Sequence, residues 1–109
     1  MYLTKGEQTR DFIYIDDVVS AYEAVIKNLC RIDRGFIEFQ VGTGKAVSLK
    51  KFVRTVLKIT NSDTRLLFGA LPYRKGEIMY SKANNKALKE LNWEPKFDIS
   101  KGIRKFIEI

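Results

Sequence analysis

Apolar residues recur at three- and four-residue intervals in three stretches of the chain, and this spacing predicts three helices that each bury one face. Polar residues that can cap a helix precede each stretch: Asp16 or Asp17, then Ser48, then Asp98 or Ser100. The positions expected to face inward are Val18, Val19, Tyr22, Val25, Ile26 and Leu29 in the first helix, Leu49, Phe52, Val53, Val56 and Leu57 in the second, and Ile99, Ile103, Phe106 and Ile107 in the last.

A shorter helix is expected to begin at Ser81 or Asn84 and to end before residues 93–95, which contain a proline. Mostly apolar runs at 12–15, 36–41 and 65–71 predict three strands. The order β-α-β-α-β-α-α indicates an α/β protein, a partial fold of about three strands and four helices. Strands this apolar usually lie inside a larger sheet, so we expect missing neighbours, supplied by a longer chain or by self-association as a homodimer.

The length of 109 residues allows one domain at most, and 45% hydrophobic with 30% charged residues is typical of a soluble globular protein. No apolar run approaches the ~20 residues that span a bilayer, and no apolar segment of a secretory signal follows the first residues. Cys30 is the only cysteine and histidine is absent, so we expect no disulfide, no metal site and a cytoplasmic location.

The net charge of +7 raises the question of nucleic-acid binding. Residues 39–62 contain no acidic side chain, and Lys50, Arg54 and Lys58 form a stripe along one face of the second predicted helix. The solvated face of an amphipathic helix explains this stripe more simply, and no aromatic residue is interleaved with the lysines to stack bases. Nucleic-acid binding through residues 45–58 therefore remains one alternative function, and a stand-alone domain that works by homodimerisation through its sheet edges is the other.

Two arginines are the best candidates for binding a ligand. Arg10 and Arg74 each lie between a turn and an apolar segment, where a guanidinium can be held rigidly against phosphate oxygens. Together they would clamp a diphosphate, and Glu77 could accept from a ribose hydroxyl. The alternative is that each arginine is a surface ion-pair partner, and that Glu77 pairs with Arg74 or Lys75. Residues 42–44, Gly-Thr-Gly, lack the spacing of a phosphate-binding loop and are expected to form a strand-ending turn.

Four segments resemble motifs of the extended short-chain dehydrogenases/reductases, the NAD-dependent nucleotide-sugar epimerases, dehydratases and reductases. Residues 6–17 resemble "G-x-Q-x-R-D-F-I-Y-V-D-D", residues 39–44 resemble "Y-N-V-G-T-G", residues 74–78 resemble "R-x-G-[DE]-[IV]", and residues 88–95 resemble "L-G-W-x-P" with Asn92 in place of glycine. The motifs occur in the family's order, and residues 101–103 match its closing helix. Residues 67–74 also resemble reductases of the CDP-abequose synthase type.

The resemblance implies the C-terminal portion of a Rossmann-type nucleotide-sugar enzyme, with residues 1–109 as its substrate-binding region and the cofactor domain lying outside the chain. By position, Arg10 and Arg74 would contact the diphosphate of a nucleotide-diphosphate sugar, and Glu77 the ribose. The intact enzyme would use NAD or NADP. The family's glycine-rich loop and its Tyr-x-x-x-Lys pair are absent from the sequence, so we expect no catalytic residue and no cofactor site here, and a chain that is inactive alone.

Overall fold

The computed structural model describes residues 1–32, 35 and 37–108. These residues form four α-helices and one short antiparallel pair of strands. The elements in chain order are β1 (Thr9–Arg10), α1 (Ile15–Lys27), a single 3-10 turn (Leu29–Arg31), β2 (Val47–Ser48), α2 (Leu49–Thr60), α3 (Lys86–Glu90) and α4 (Ile99–Glu108). The predicted α/β class is confirmed, although the strands are shorter than expected.

The first ten residues form a segment, here called the ribbon, that lies between β2 and residues 65–81 and bonds to both. β1 pairs with β2, with Thr9 opposite Ser48. On its other side the ribbon is joined to the segment before α3: the Thr9 N–H donates to the Met79 carbonyl at 2.8 Å, and an isolated parallel bridge links Tyr2 to Leu67. The ribbon therefore brings residues distant in sequence to one surface.

The three predicted strands are wrong in detail. Residues 11–14 have no regular structure, and their aromatic side chains pack on other segments: Phe12 stacks on Phe52 with ring centroids 4.1 Å apart. Residues 37–41 form no described strand, and Phe36 lies outside the described residues. Of 65–71, only Leu67 forms a bridge. A strand needs a neighbour to pair its backbone groups; the described residues supply none for 12–15 or 37–41, and 65–71 is bonded to residues 1–3 at only a few positions.

The helix ends agree with the sequence in two cases of three. Ser48 caps α2, since its hydroxyl accepts from the Lys51 N–H at 3.2 Å, and the Asp98 carboxylate accepts from the Lys101 N–H at 2.7 Å at the start of α4. The predicted capping of α1 by Asp16 or Asp17 is wrong, because Tyr14 holds the cap position and both carboxylates lie inside the first turn.

The core is small and lies between α1 and α3. Ala21, Leu88 and Trp93 are buried, with partly buried residues packed around them: Ile13, Ala24, Val25, Phe39 and Val41. Some predicted inward positions are instead exposed, namely Val19, Tyr22, Ile26, Leu29, Phe106 and Ile107. Their spacing is helical as predicted, but no other described residue covers that side of α1 or the end of α4. No helix in the described part of the chain is long and apolar enough to cross a membrane.

Candidate functional site

Gln8 and Arg10 of the first motif and Glu77 of the third motif meet on one side of the ribbon. The Arg10 guanidinium lies 3.6 Å from the Glu77 carboxylate, with the two side chains 32% and 22% exposed. The amide nitrogen of Gln8, a residue that is 6% exposed, lies 3.4 Å from the same carboxylate oxygen. The Gln8 side-chain oxygen is buried and has no hydrogen-bond partner in the part of the chain that the structure describes. We refer to Gln8, Arg10 and Glu77 as the arginine cluster.

The backbone explains why these residues meet. Gln8 and Arg10 point to the same side because they are two residues apart in extended chain. Thr9, between them, is bonded to Met79 and Ser81, which brings the neighbouring Glu77 alongside the ribbon. The Arg10 side chain also donates to the Thr9 carbonyl at 2.8 Å, which fixes the orientation of the guanidinium.

Arg74 lies in the turn that leads to Glu77. The Glu77 N–H donates to the Arg74 carbonyl at 3.0 Å, and Gly76 in this turn has a φ of 78°, which favours glycine. Arg74 is exposed, and its side chain forms no ion pair with another residue that the structure describes. The structure thus joins Arg10 directly to Glu77, while Arg74 is connected to them through the turn. As the alternative to a ribose contact, the sequence suggested that Glu77 pairs with Arg74 or Lys75; the observed ion-pair partner is Arg10.

A second group of contacts centres on Asp11 and was missed by the sequence reasoning. One Asp11 oxygen accepts from the N–H and hydroxyl of Thr43 at 2.9 and 2.6 Å, and the other accepts from the N–H groups of Gly44 and Ala83 at 2.9 and 3.3 Å. A side chain on Gly42 would lie 2.4 Å from the Ala83 side chain, so this position requires glycine. The loop of residues 42–44 therefore directs N–H groups to an internal carboxylate, in agreement with the prediction that it is a turn.

A third group of contacts joins the start of α1 to the segment before α4. The Asp17 carboxylate is 2% exposed and accepts from the N–H groups of Lys96 and Phe97 at 2.9 and 3.0 Å. One turn further along α1, the Ser20 hydroxyl accepts from the Trp93 indole at 2.9 Å. These contacts hold the 93–97 segment against α1. The role of Asp17, the second aspartate of the first motif, is therefore to bind this segment and not to cap the helix.

Two residues of the basic stripe of α2 lie over the ring of Phe68. The Lys50 ammonium and the Arg54 guanidinium lie 5.1 and 5.4 Å from the centre of the Phe68 ring, within the range of cation–π contacts. Phe68 is too far away in sequence for the helix pattern to have indicated it. Nucleic-acid binding by this stripe stays an untested prediction. Among the described residues no group of three or more acidic or cysteine side chains could hold a metal ion.

Comparison with known proteins places these features in one family. Residues 1–42 match the model of the NAD dependent epimerase/dehydratase family. CDP-abequose synthase of Salmonella typhimurium is 45% identical over 107 residues, which are 96% of this chain and 36% of that protein. UDP-glucose 4-epimerase of Thermotoga maritima, solved with UDP-glucose, is 33% identical with a TM-score of 0.74 over 94% of this chain and 31% of that chain. MoeE5, in complex with UDP-glucuronic acid and NAD, is 25% identical with a TM-score of 0.82 over 99% of this chain and 35% of that chain.

The chain is similar in sequence and fold to a portion of NAD-dependent nucleotide-sugar epimerases and dehydratases, so the resemblance predicted from the four motifs is confirmed. The particular likeness to CDP-abequose synthase, predicted from residues 67–74, is confirmed as well. The chain spans about a third of the length of the curated relatives it matches.

Proposed function

We propose that this chain is the part of an NAD(P)-dependent nucleotide-sugar epimerase, dehydratase or reductase that binds the nucleotide-diphosphate sugar. Arg10 and Arg74 contact the diphosphate, and Glu77 accepts from the ribose hydroxyls. The observation that carries the proposal is the arginine cluster, in which residues from two family motifs almost seventy positions apart share one contact. The likeness to CDP-abequose synthase makes a cytidine diphosphate sugar the first ligand to test.

The geometry of the Arg10–Glu77 pair suits exchange with a ligand. Their separation of 3.6 Å is longer than the ~2.8 Å of a charge-assisted hydrogen bond, so the contact is weak. A diphosphate oxygen offers the guanidinium a shorter, two-point contact. Glu77, once it no longer faces Arg10, can turn its carboxylate to the ribose. Binding of the diphosphate by Arg10 and of the ribose by Glu77 would then be coupled.

Arg74 supplies the charge that the cluster lacks. Arg10 is already balanced by Glu77, whereas a diphosphate brings about two negative charges to the site. Arg74 is exposed on the turn that ends at Glu77, so its flexible side chain can reach a ligand bound there. We propose that Arg74 closes over the diphosphate after the nucleotide has engaged Arg10.

The proposed role of the chain is binding and orientation of the substrate. In the whole enzyme NAD(P) would exchange a hydride with the sugar. The residues that hold the cofactor and move the proton would lie outside this sequence, which has neither the glycine-rich loop nor the Tyr-x-x-x-Lys pair. We accordingly expect no turnover by the 109-residue chain alone.

The proposal is tested by NMR titration of the ¹⁵N-labelled chain with CDP and CDP-glucose, since this method detects weak binding. We expect shifts concentrated at the amides of residues 8–11 and 74–77. Arg10→Ala and Arg74→Ala should each weaken binding roughly tenfold, because a hydrogen bond to a charged group contributes about 1.5–3 kcal/mol.

Arg104→Ala is the matched control, since it removes an exposed guanidinium from α4 and changes the net charge equally. The two cluster variants must lose clearly more affinity than Arg104→Ala. Equal losses in all three variants would mean that the nucleotide responds only to overall positive charge, and the clamp would be rejected.

A further inference from the structure

The turn that carries Arg74 is joined to the ribbon just before its first residue. The Tyr73 hydroxyl accepts a hydrogen bond from the Glu7 N–H at 3.0 Å. This link runs from a side chain to the backbone, so it depends on which residue stands at position 73. Tyr73 lies just before the third motif, at residues 74–78, so the motif itself does not indicate the link. Tyr73 is half-buried, whereas Arg74 beside it is exposed.

The other end of the turn is joined to the next residue of the ribbon. The Gln8 amide nitrogen lies 3.4 Å from the Glu77 carboxylate. Because Glu7 and Gln8 are adjacent in the chain, neighbouring points of the ribbon hold both ends of the turn. Between these two links lie residues 74–76, and the hydrogen bond from the Glu77 N–H to the Arg74 carbonyl closes the turn at 3.0 Å.

Without the Tyr73 hydroxyl, the nearest preceding link among the described residues is at Leu71. The Leu71 N–H donates to the Leu3 carbonyl at 3.0 Å and holds that part of the chain on the ribbon. The stretch between links would then lengthen from residues 74–76 to residues 72–76. A longer free stretch has more conformations to lose when a ligand fixes it. The arginine of the turn would therefore be ordered at the expense of affinity.

We propose that Tyr73 is a positioning residue for Arg74. Its hydroxyl, bound to the Glu7 N–H, fixes the start of the turn, so that the Arg74 guanidinium is presented to the phosphate groups of a nucleotide diphosphate. This inference rests on the proposed function, in which Arg74 contacts the diphosphate. Tyr73 itself does not touch the ligand and acts only through its neighbour. Such a residue raises affinity by reducing the order that the ligand must impose when it binds.

The test is a double-mutant cycle read by NMR titration of the 109-residue chain with CDP-glucose. Tyr73→Phe removes the hydroxyl and keeps the ring. Alone, it should weaken binding about two- to fivefold, less than the roughly tenfold loss expected for Arg74→Ala, because the guanidinium is still present. In the Arg74→Ala background, Tyr73→Phe should change the affinity by less than about 1.5-fold, since the group that it positions is already absent.

Tyr80→Phe is the matched control, because it removes a hydroxyl from a side chain that is 62% exposed, three positions beyond Glu77. Hydrogen exchange of the Glu7 amide supplies a readout that needs no ligand. This exchange should become at least about threefold faster in Tyr73→Phe and stay unchanged in Tyr80→Phe. The contact is exposed, so water can replace the hydroxyl, and the thermal unfolding midpoint should move by no more than about 3 °C.

The outcomes separate this inference from the function on which it rests. If the unchanged chain does not bind CDP-glucose, or if Arg74→Ala binds it equally well, the proposed function fails and the positioning role fails with it. If Arg74→Ala weakens binding but Tyr73→Phe behaves like Tyr80→Phe, only the positioning role is overturned. An equal loss from Tyr73→Phe in both backgrounds would also overturn it, because the hydroxyl would then contact the ligand itself or act on the fold as a whole.

Discussion

Replacing Asp17 with asparagine would isolate the contribution of one buried carboxylate to stability. Asp17 lies in the first turn of α1, is 2% exposed, and directs one oxygen to the Lys96 N–H and the other to the Phe97 N–H. Asparagine has almost the same shape, but it offers only one oxygen. Its NH₂ group would face one of the two N–H groups, so one bond would be lost and two donors would oppose each other in a buried place.

The magnitude follows from the two effects together. A hydrogen bond to a charged acceptor contributes about 1.5–3 kcal/mol, and an unsatisfied buried donor costs about 1–3 kcal/mol, part of which relaxation recovers. We expect Asp17→Asn to lower the free energy of unfolding by about 2–3 kcal/mol. For a domain of this size, that corresponds to a fall in the melting temperature of roughly 10–20 °C.

Asp16→Asn is the matched control, because Asp16 is adjacent, exposed and in the same helical turn. Both substitutions remove one negative charge near the helix N-terminus, an effect worth about 0.3–1 kcal/mol, so the difference between them reports the bonds to Lys96 and Phe97. The assay is thermal and urea unfolding followed by circular dichroism. If the two variants unfold within about 0.5 kcal/mol of each other, the bonds from Asp17 do not hold the segment before α4, and the reasoning is refuted.

Two further substitutions test the local structure by the same unfolding assay. Gly42→Ala should destabilise the chain by about 1–3 kcal/mol, since the new side chain would lie 2.4 Å from that of Ala83, and an unchanged free energy of unfolding would contradict the clash. Ser48→Ala should lower the free energy of unfolding by about 1 kcal/mol, because α2 loses the cap on the Lys51 N–H. If Ser48→Thr or Ser48→Asp keeps the original stability, the loss in Ser48→Ala is due to capping and not to packing.

The helices were the part of the fold that the sequence could predict. The starts of α2 and α4 depend on local interactions: in each, one side chain, Ser48 or Asp98, accepts a hydrogen bond from the N–H group three residues later. The strands could not be predicted in the same way. Residues 12–15 and 36–41 have strand composition, but a strand also needs a partner, and the partner is a property of the whole fold.

The candidate site shows the same limit. The motifs indicate Arg10, Arg74 and Glu77, yet no local pattern identifies the partner of Glu77, because the contact with Arg10 spans almost seventy residues. The contacts of Asp11 could not be predicted for the same reason. Asp11 and the Gly-Thr-Gly loop at 42–44 are both evident in the sequence, but nothing in their spacing shows that they meet. A signal that could have linked them is the close packing implied by Gly42, where any larger residue would collide with Ala83.

The extended ribbon at residues 1–10 has a consequence for the order in which the molecule forms. Its backbone bonds reach residues 47–50, 65–71 and 79–81, and Asp11 reaches Ala83. During synthesis the ribbon is made about seventy residues before its last partners. It must therefore wait without these neighbours, and α1 and α2 can form before its contacts are complete. The contacts of the ribbon are completed only after residues 79–83 have been made, and a chaperone that shields apolar segments such as 12–15 would act in that interval.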